Sequence, residues 1–344
     1  MRIARDTDTW DSVVRISLVS SFLASILIGR FAPIELGDAS GMNLVDICSL
    51  DWSESLCEVI AKDCRAKLGS LVAGDAVLGS IAPYFVKRFG FSPQCRVGAI
   101  TGDNLSTLAG IRLQRDDCCV SLGSSDTIFS LSSETAVSKH GHLFLSPCEK
   151  GVFVRLMCFS NGAAAREQMR DEFANGSWND FDRQVREALP GKALLIEHTA
   201  DEITPLAPAS RRFFDTTGRE TQSLPTDACP IKCMVETQML RLKHFAALSN
   251  VKRILVTGGA AGNETVLQIL ANVMGCPVYV TRTDAAAYGG CLRAIQAHKG
   301  GAFADAVAHI ANDAHCVCQP DMALHDGIYK PLLDVYGRVI SALE

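Results

Sequence analysis

Ten residues constrain this chain more than any others: Ile254-Leu-Val-Thr-Gly-Gly-Ala-Ala-Gly-Asn263. Ile254, Leu255 and Val256 are consecutive and apolar, which predicts a buried strand with apolar side chains on both faces. The glycines then stop the strand, and a helical pattern runs on to about Met274. Strand, glycine turn and helix in that order belong to layered α/β folds. Glycine lets a backbone approach a ligand closely, and a helix N-terminus favours anions. The segment is not a P-loop, because no Gly-Lys-Ser/Thr follows. It is not a dinucleotide fingerprint either, because the G-x-G-x-x-G spacing and the later acidic residue are absent. An ordinary strand-to-helix turn has the same composition.

Elsewhere the chain reads as mixed helix and strand. Residues 13–28, 53–68, 163–173, 178–189, 231–248, 285–298 and 329–343 read as helical, with Ser177 as an N-cap. Residues 97–101 read as a short strand that ends in Gly102-Asp-Asn104, with a helix over 105–113. Two apolar runs, 118–122 and 127–131, flank Gly123-Ser-Ser-Asp126 and predict a tight hairpin. Phe144 and residues 152–158 extend the same sheet. At 344 residues the chain fits about two domains, with a boundary near 112–117.

Two more segments carry chemical groups. Asp103 can accept a proton from a hydroxyl, and Asn104 can hydrogen-bond a neighbouring one. Asp103 serves equally well as a simple helix cap. In Leu122-Gly-Ser-Ser-Asp-Thr127 a tight turn exposes N–H groups beside the hydroxyls of Ser124, Ser125 and Thr127. That suits an anion, although Gly, Ser and Asp also favour plain β-turns.

A net charge of −5 argues against generic nucleic-acid binding. The 14 cysteines lack the paired spacing of a zinc site and read as reduced, mostly buried thiols of a cytosolic protein. Ile16–Gly29 is apolar, but it is too short to cross a bilayer. Asp6, Asp8 and Asp11 precede it, unlike the basic start of a signal peptide. A buried core helix is expected there, and no membrane contact.

Taken together, VRISLVSSF, DASGMNLVDI, TGDN…LAG, VSLGSSDTIFSL, CFSNGAAAREQMRDE, SWNDF and ILVTGGA..N resemble the FGGY carbohydrate kinases, in order and over nearly the whole chain. DASGMNL and SWNDF are most similar to the animal-type xylulose-phosphorylating branch. The resemblance implies an α/β, actin-like (ribonuclease-H-like) two-domain fold that closes on a sugar and ATP. It implies Asp103 as catalytic base, with Asp103 and Asn104 at the sugar, D-xylulose, and Mg²⁺ on the phosphates. Gly123, Ser124, Ser125 and Thr127 fall at the ATP phosphates, with Ser124 where the family has Thr. Gly258, Gly259, Ala260, Asn263 and Trp178 fall at the nucleotide; without the resemblance Trp178 reads as a core or helix-anchoring aromatic. Ribulose, gluconate and glycerol are alternative substrates.

The family's opening Asp-x-Gly-Thr hairpin has no counterpart in this sequence. The expectation is therefore a truncated N-terminal domain over 1–115, with exposed core surface, and a C-terminal domain over 116–344. A non-catalytic nucleotide-binding remnant is the other expectation.

Overall fold

Seven strands form one mixed sheet in the computed structural model, which describes residues 7–135, 139–246, 251–281 and 284–344. They are β1 (Asp117–Leu122), β2 (Asp126–Ser132), β3 (His142–Leu145), β4 (Phe153–Phe159), β5 (Arg253–Thr257), β6 (Val278–Val280) and β7 (His315–Cys318). Their spatial order is β7-β6-β5-β1-β2-β4-β3. β1 and β2 form the expected hairpin, with Leu122 opposite Asp126. β4 lies antiparallel to β2 and to β3. β5 lies parallel to β1, with Ser121 opposite Thr257.

The helices that position the site are α1 (Val19–Ile28), α2 (Asp103–Gly110), α3 (Ala163–Phe173), α4 (Trp178–Glu187), α5 (Pro230–Ala246), α6 (Glu264–Met274), α7 (Ala285–Lys299) and α8 (Lys330–Leu343). Successive strand residues point to opposite faces. Cys118, Val120, Leu122, Ile254 and Val256 therefore meet Ala165, Phe181, Met239, Leu270 and Tyr336 of α3–α6 and α8 in one core. Cys119 and Leu255 point the other way and meet Leu105 and Leu108 of α2. This makes a helix–sheet–helix sandwich, and it explains why these strands are apolar without alternation.

α7 crosses α2 in the second helical layer. A Cβ added to Gly289 would stand 1.7 Å from the Ser106 carbonyl oxygen, and one added to Gly110 would stand 2.0 Å from that of Ala285. The two backbones are in direct contact, and α2, which begins with Asp103, is held between α7 and the sheet.

Several expectations need correction. α1 begins only at Val19; residues 13–18 are irregular, and the Ile16 N–H donates to the Lys67 carbonyl at 2.9 Å. β-Branched Val13, Val14 and Ile16 disfavour a helix there. Nor is α1 a buried core helix. Its inward side is Ser20, Ser21 and Ala24, whereas Val19 is 86% and Phe22 59% exposed, with Leu23 and Ile26 also open to solvent. Among the described residues nothing covers that face. The stretch 53–68 is two helices, Glu54–Ile60 and Cys64–Leu68, because Ala61 is extended between them. An antiparallel sheet of Leu194–His198, Ser210–Phe214 and Glu220–Thr221 was not anticipated. The end of the helix expected over 231–248 lies outside the described residues, which carry it to Ala246.

Candidate active site

Because β1 and β5 run parallel, the turns that follow them emerge at the same end of the sheet. The first, Gly123–Ser125, closes the β1–β2 hairpin, with Ser124 and Ser125 exposed and Gly123 and Thr127 half-buried. The second runs from Gly258 through a single 3₁₀ turn, Gly259–Gly262, to Asn263. Gly258 joins the two. Its φ is +89°, and a Cβ there would lie 2.7–2.9 Å from backbone atoms of Leu122. Only glycine meets both demands. Gly259 and Gly262 face open space, with nothing within 4 Å of an added Cβ, so their backbone is accessible to a ligand.

Asn263 is the N-cap of α6. Its Oδ1 accepts from the Val266 N–H at 3.0 Å, and its Nδ2 donates to Asp182 Oδ1 on α4 at 2.9 Å. The second contact ties α4 to the end of the glycine turn; Trp178 stands one helical turn before Asp182, at the head of α4. Ser177 caps α4 by accepting from the Asp180 N–H at 3.2 Å. Trp178 is no core aromatic: its ring is 40% exposed, edge-on to Phe181 and 4.7 Å from the Arg170 guanidinium. An exposed aromatic can stack on a base.

Asp103 and Asn104 lie in the opposite helical layer, exposed at the start of α2. Gly102, not Asp103, occupies the N-cap, and Asp103 Oδ1 accepts from the Asn104 N–H at 2.7 Å. The Asp103 carboxylate thus stands in the first turn, open to solvent. Asp38, which sequence reasoning passed over although it opens the DASGMNL stretch, sits behind it. Its carboxylate faces the Gly102 N–H and accepts from the Ser20 hydroxyl. Burial, with the charges of Glu35 and Asp103, pushes the Asp38 carboxyl above the usual range, and the Ser20 and Gly102 contacts only partly offset this. The structure therefore brings Gly123–Thr127 and Gly258–Asn263 together, with the helix that carries Trp178 tied to Asn263 through Asp182. Among the described residues no hydrogen bond ties Asp103 or Asn104 to either turn.

The arrangement suits a nucleotide. Two glycine-containing turns, exposed hydroxyls and an open aromatic supply N–H donors for phosphates and a face for a base. For a divalent cation the fit is less complete. No group of three or more His, Cys, Asp or Glu among the described residues can hold a metal. Mg²⁺, however, usually takes one or two carboxylates and completes its shell with phosphate oxygens and water. Cys316 and Cys318 lie on the edge strand β7.

Comparison with known families agrees with this geometry. Residues 118–298 match the C-terminal domain of the FGGY family of carbohydrate kinases, and residues 5–110 match its N-terminal domain. The chain belongs to that family. Xylulose kinase of Rattus norvegicus is 38% identical over 314 residues, covering 88% of this chain and 58% of its own length. Xylulose kinase 2 of Arabidopsis thaliana is 37% identical over 83% of this chain and 55% of its own. The chain thus spans less than two thirds of the length of these curated relatives. Among solved structures, a ligand-bound xylulose kinase from Lactobacillus acidophilus superposes with a TM-score of 0.84 at 16% identity, covering 98% of this chain and 70% of that one. A Plasmodium falciparum glycerol kinase with ADP gives 0.79 at 11% identity, with 98% and 70% coverage. The fold is that of the actin-like sugar kinases. No helix among the described residues is long and apolar enough to cross a membrane.

Proposed function

We propose that the chain carries the machinery of an ATP-dependent carbohydrate kinase that converts D-xylulose to D-xylulose 5-phosphate. The observation that carries this reading is the convergence of the hairpin turn and the glycine turn at one end of the sheet, with Gly258 packed on Leu122. The sugar assignment rests on the xylulose kinases of rat and Arabidopsis. In this reading residues 1–115 form the sugar side and 116–344 the nucleotide side. The free thiols suit a reducing cytosol.

Asp103 accepts the proton of the sugar's primary hydroxyl as its oxygen forms a bond to the γ-phosphorus and the bond to ADP breaks. Asn104 orients the sugar. The N–H groups of Gly123–Thr127, with the hydroxyls of Ser124 and Ser125, hold phosphate oxygens. Gly258, Gly259, Ala260 and Asn263 border the nucleotide, and Trp178 touches it. Mg²⁺, when bound to the phosphates, would neutralise charge.

The test is xylulose-dependent formation of ADP by this chain in a coupled assay, with ribulose, gluconate and glycerol alongside. Turnover that falls about 100-fold or more on Asp103→Asn supports the reading, that being the usual range for loss of a general base. Turnover that survives Asp103→Asn rules out Asp103 as the base. ATP binding without ADP formation would instead identify a nucleotide-binding protein without turnover.

A further inference from the structure

Beneath the hairpin turn lies a buried cluster of two arginines and two acids that the proposed chemistry does not use. The Arg166 guanidinium, on α3, grips Asp126 with both ends, Nη1 to Oδ2 and Nη2 to Oδ1, each at 2.9 Å. Asp126 is the first residue of β2, directly after the turn. Arg166 Nη1 also donates to Gln238 Oε1 at 3.0 Å, and Nη2 reaches the Gly123 carbonyl at 3.4 Å. Arg241, on α5, bridges Asp126 at 3.5 Å to Glu202 at 3.0 Å and donates to the Asn161 carbonyl at 3.0 Å. All four ionic side chains are almost wholly inaccessible to solvent.

The turn's own carbonyls are also taken up from below. The Gly162 N–H donates to Ser124 O at 3.2 Å and the Ala163 N–H to Gly123 O at 2.9 Å. Gly162 must be glycine for this, because a Cβ would stand 2.7 Å from Gly123 O and 2.8 Å from Ser124 O. The turn is therefore fixed at both ends and from beneath, while Ser124 and Ser125 remain exposed above.

A plain β-turn needs none of this. Gly and Ser suffice for its local geometry, and a buried ion pair is a poor way to add stability, because desolvation cancels most of its attraction. What a bidentate, fully desolvated pair does supply is a fixed orientation. We infer that Arg166 is a positioning residue: its fork on Asp126 and Gly123 holds the hairpin turn in the one shape that aims its donors at nucleotide phosphates. The inference rests on the proposed nucleotide reading. It adds that recognition of the phosphates, as distinct from the base, is set by a residue on α3 that touches no ligand.

The test compares ATP with adenosine. Affinities of the full chain for both are measured by calorimetry for wild type, Arg166→Lys and Arg166→Met, with thermal unfolding in parallel. Arg166→Lys keeps the charge beside Asp126 but loses the fork, so it remains usable if Arg166→Met does not fold. The inference expects folded Arg166→Lys to lose about tenfold or more in ATP affinity, the scale of charged hydrogen bonds, with adenosine affinity unchanged. A folded Arg166→Lys with the wild-type preference for ATP over adenosine overturns the inference and leaves the nucleotide reading standing. Equal loss for both ligands also overturns it, since a structural defect spares neither. A wild-type chain with no preference for ATP over adenosine defeats the phosphate reading itself, and the inference with it.

Discussion

Gly289→Ala separates two opposed effects with opposite signs. Helix propensity alone predicts that alanine inside α7 stabilises the protein by about 1 kcal/mol. The crossing with α2 predicts the reverse. The new Cβ would lie 1.7 Å from the Ser106 carbonyl oxygen and 2.7 Å from the Gly110 nitrogen, against about 3.4 Å for an ordinary contact. Both neighbours are backbone atoms of a helix, so no side chain can swing aside. The helices must part by up to about 1.7 Å, the difference between 3.4 and 1.7 Å. α2 cannot retreat, because Leu105 and Leu108 are already packed on Cys119, Phe129 and Leu255 of the sheet. Overpacking of this kind costs about 1–3 kcal/mol, occasionally more, so the net expectation is a loss despite the better helix former. Gly290 is the control: it is the next residue of the same helix, exposed, with nothing within 4 Å of an added Cβ. Urea unfolding followed by circular dichroism should show Gly290→Ala unchanged or more stable and Gly289→Ala less stable. If Gly289→Ala proves as stable as Gly290→Ala, the close crossing that holds Asp103's helix is wrong.

Other expectations follow from single groups. Burial raises Glu236 to about 7, opposed by hydrogen bonds from the Tyr329 hydroxyl at 2.8 Å and the Gly191 N–H at 3.0 Å. The folded state therefore holds this proton where the unfolded chain has lost it, so its contribution to stability falls from about pH 4.5 to about 7 and is level above. Glu236→Gln should flatten that part of the stability–pH curve and gain more at pH 8 than at pH 5; parallel curves for mutant and wild type would exclude the assignment. Asn263→Ala removes the cap of α6 and the tie to Asp182, and should cost about 1 kcal/mol in urea unfolding. An unchanged midpoint would show that neither contact matters. The open apolar face of α1 should bind a hydrophobic dye and favour aggregation. Phe22→Ser with Ile26→Ser should reduce dye binding, and monodisperse protein that binds no dye at all would contradict the exposure of this face.

Much of the seven-stranded sheet and its two turns was legible because local pattern and tertiary role coincide there. The apolar run 254–256 and the paired runs 118–122 and 127–131 are buried on both faces, so composition alone marks them as strands. Glycine punctuation marks both turns. The segments misread are those where partners distant in sequence decide. α1 looks like a core helix by composition, yet its smallest residues are the ones that pack inward. Ser210–Phe214 hides its strand character behind Arg211 and Arg212, whose charges are met by Glu172, Glu197 and Glu220 from elsewhere. Arg166 and Arg241 carried no signal in the sequence, and only the fold shows that both are buried around Asp126. Asp38 lies 65 residues before Asp103, and nothing in their spacing announces that the two carboxylates are neighbours.

Hydrogen–deuterium exchange with and without MgATP examines the proposed nucleotide site itself, in the chain as it stands. Saturating MgATP should slow exchange in residues 122–127 and 258–263 together, and in the first turn of α4 at Trp178, while the 194–221 sheet stays unchanged. If saturating MgATP leaves both turns exchanging as before, the two do not form one nucleotide site, and the kinase assignment for this chain loses its structural basis.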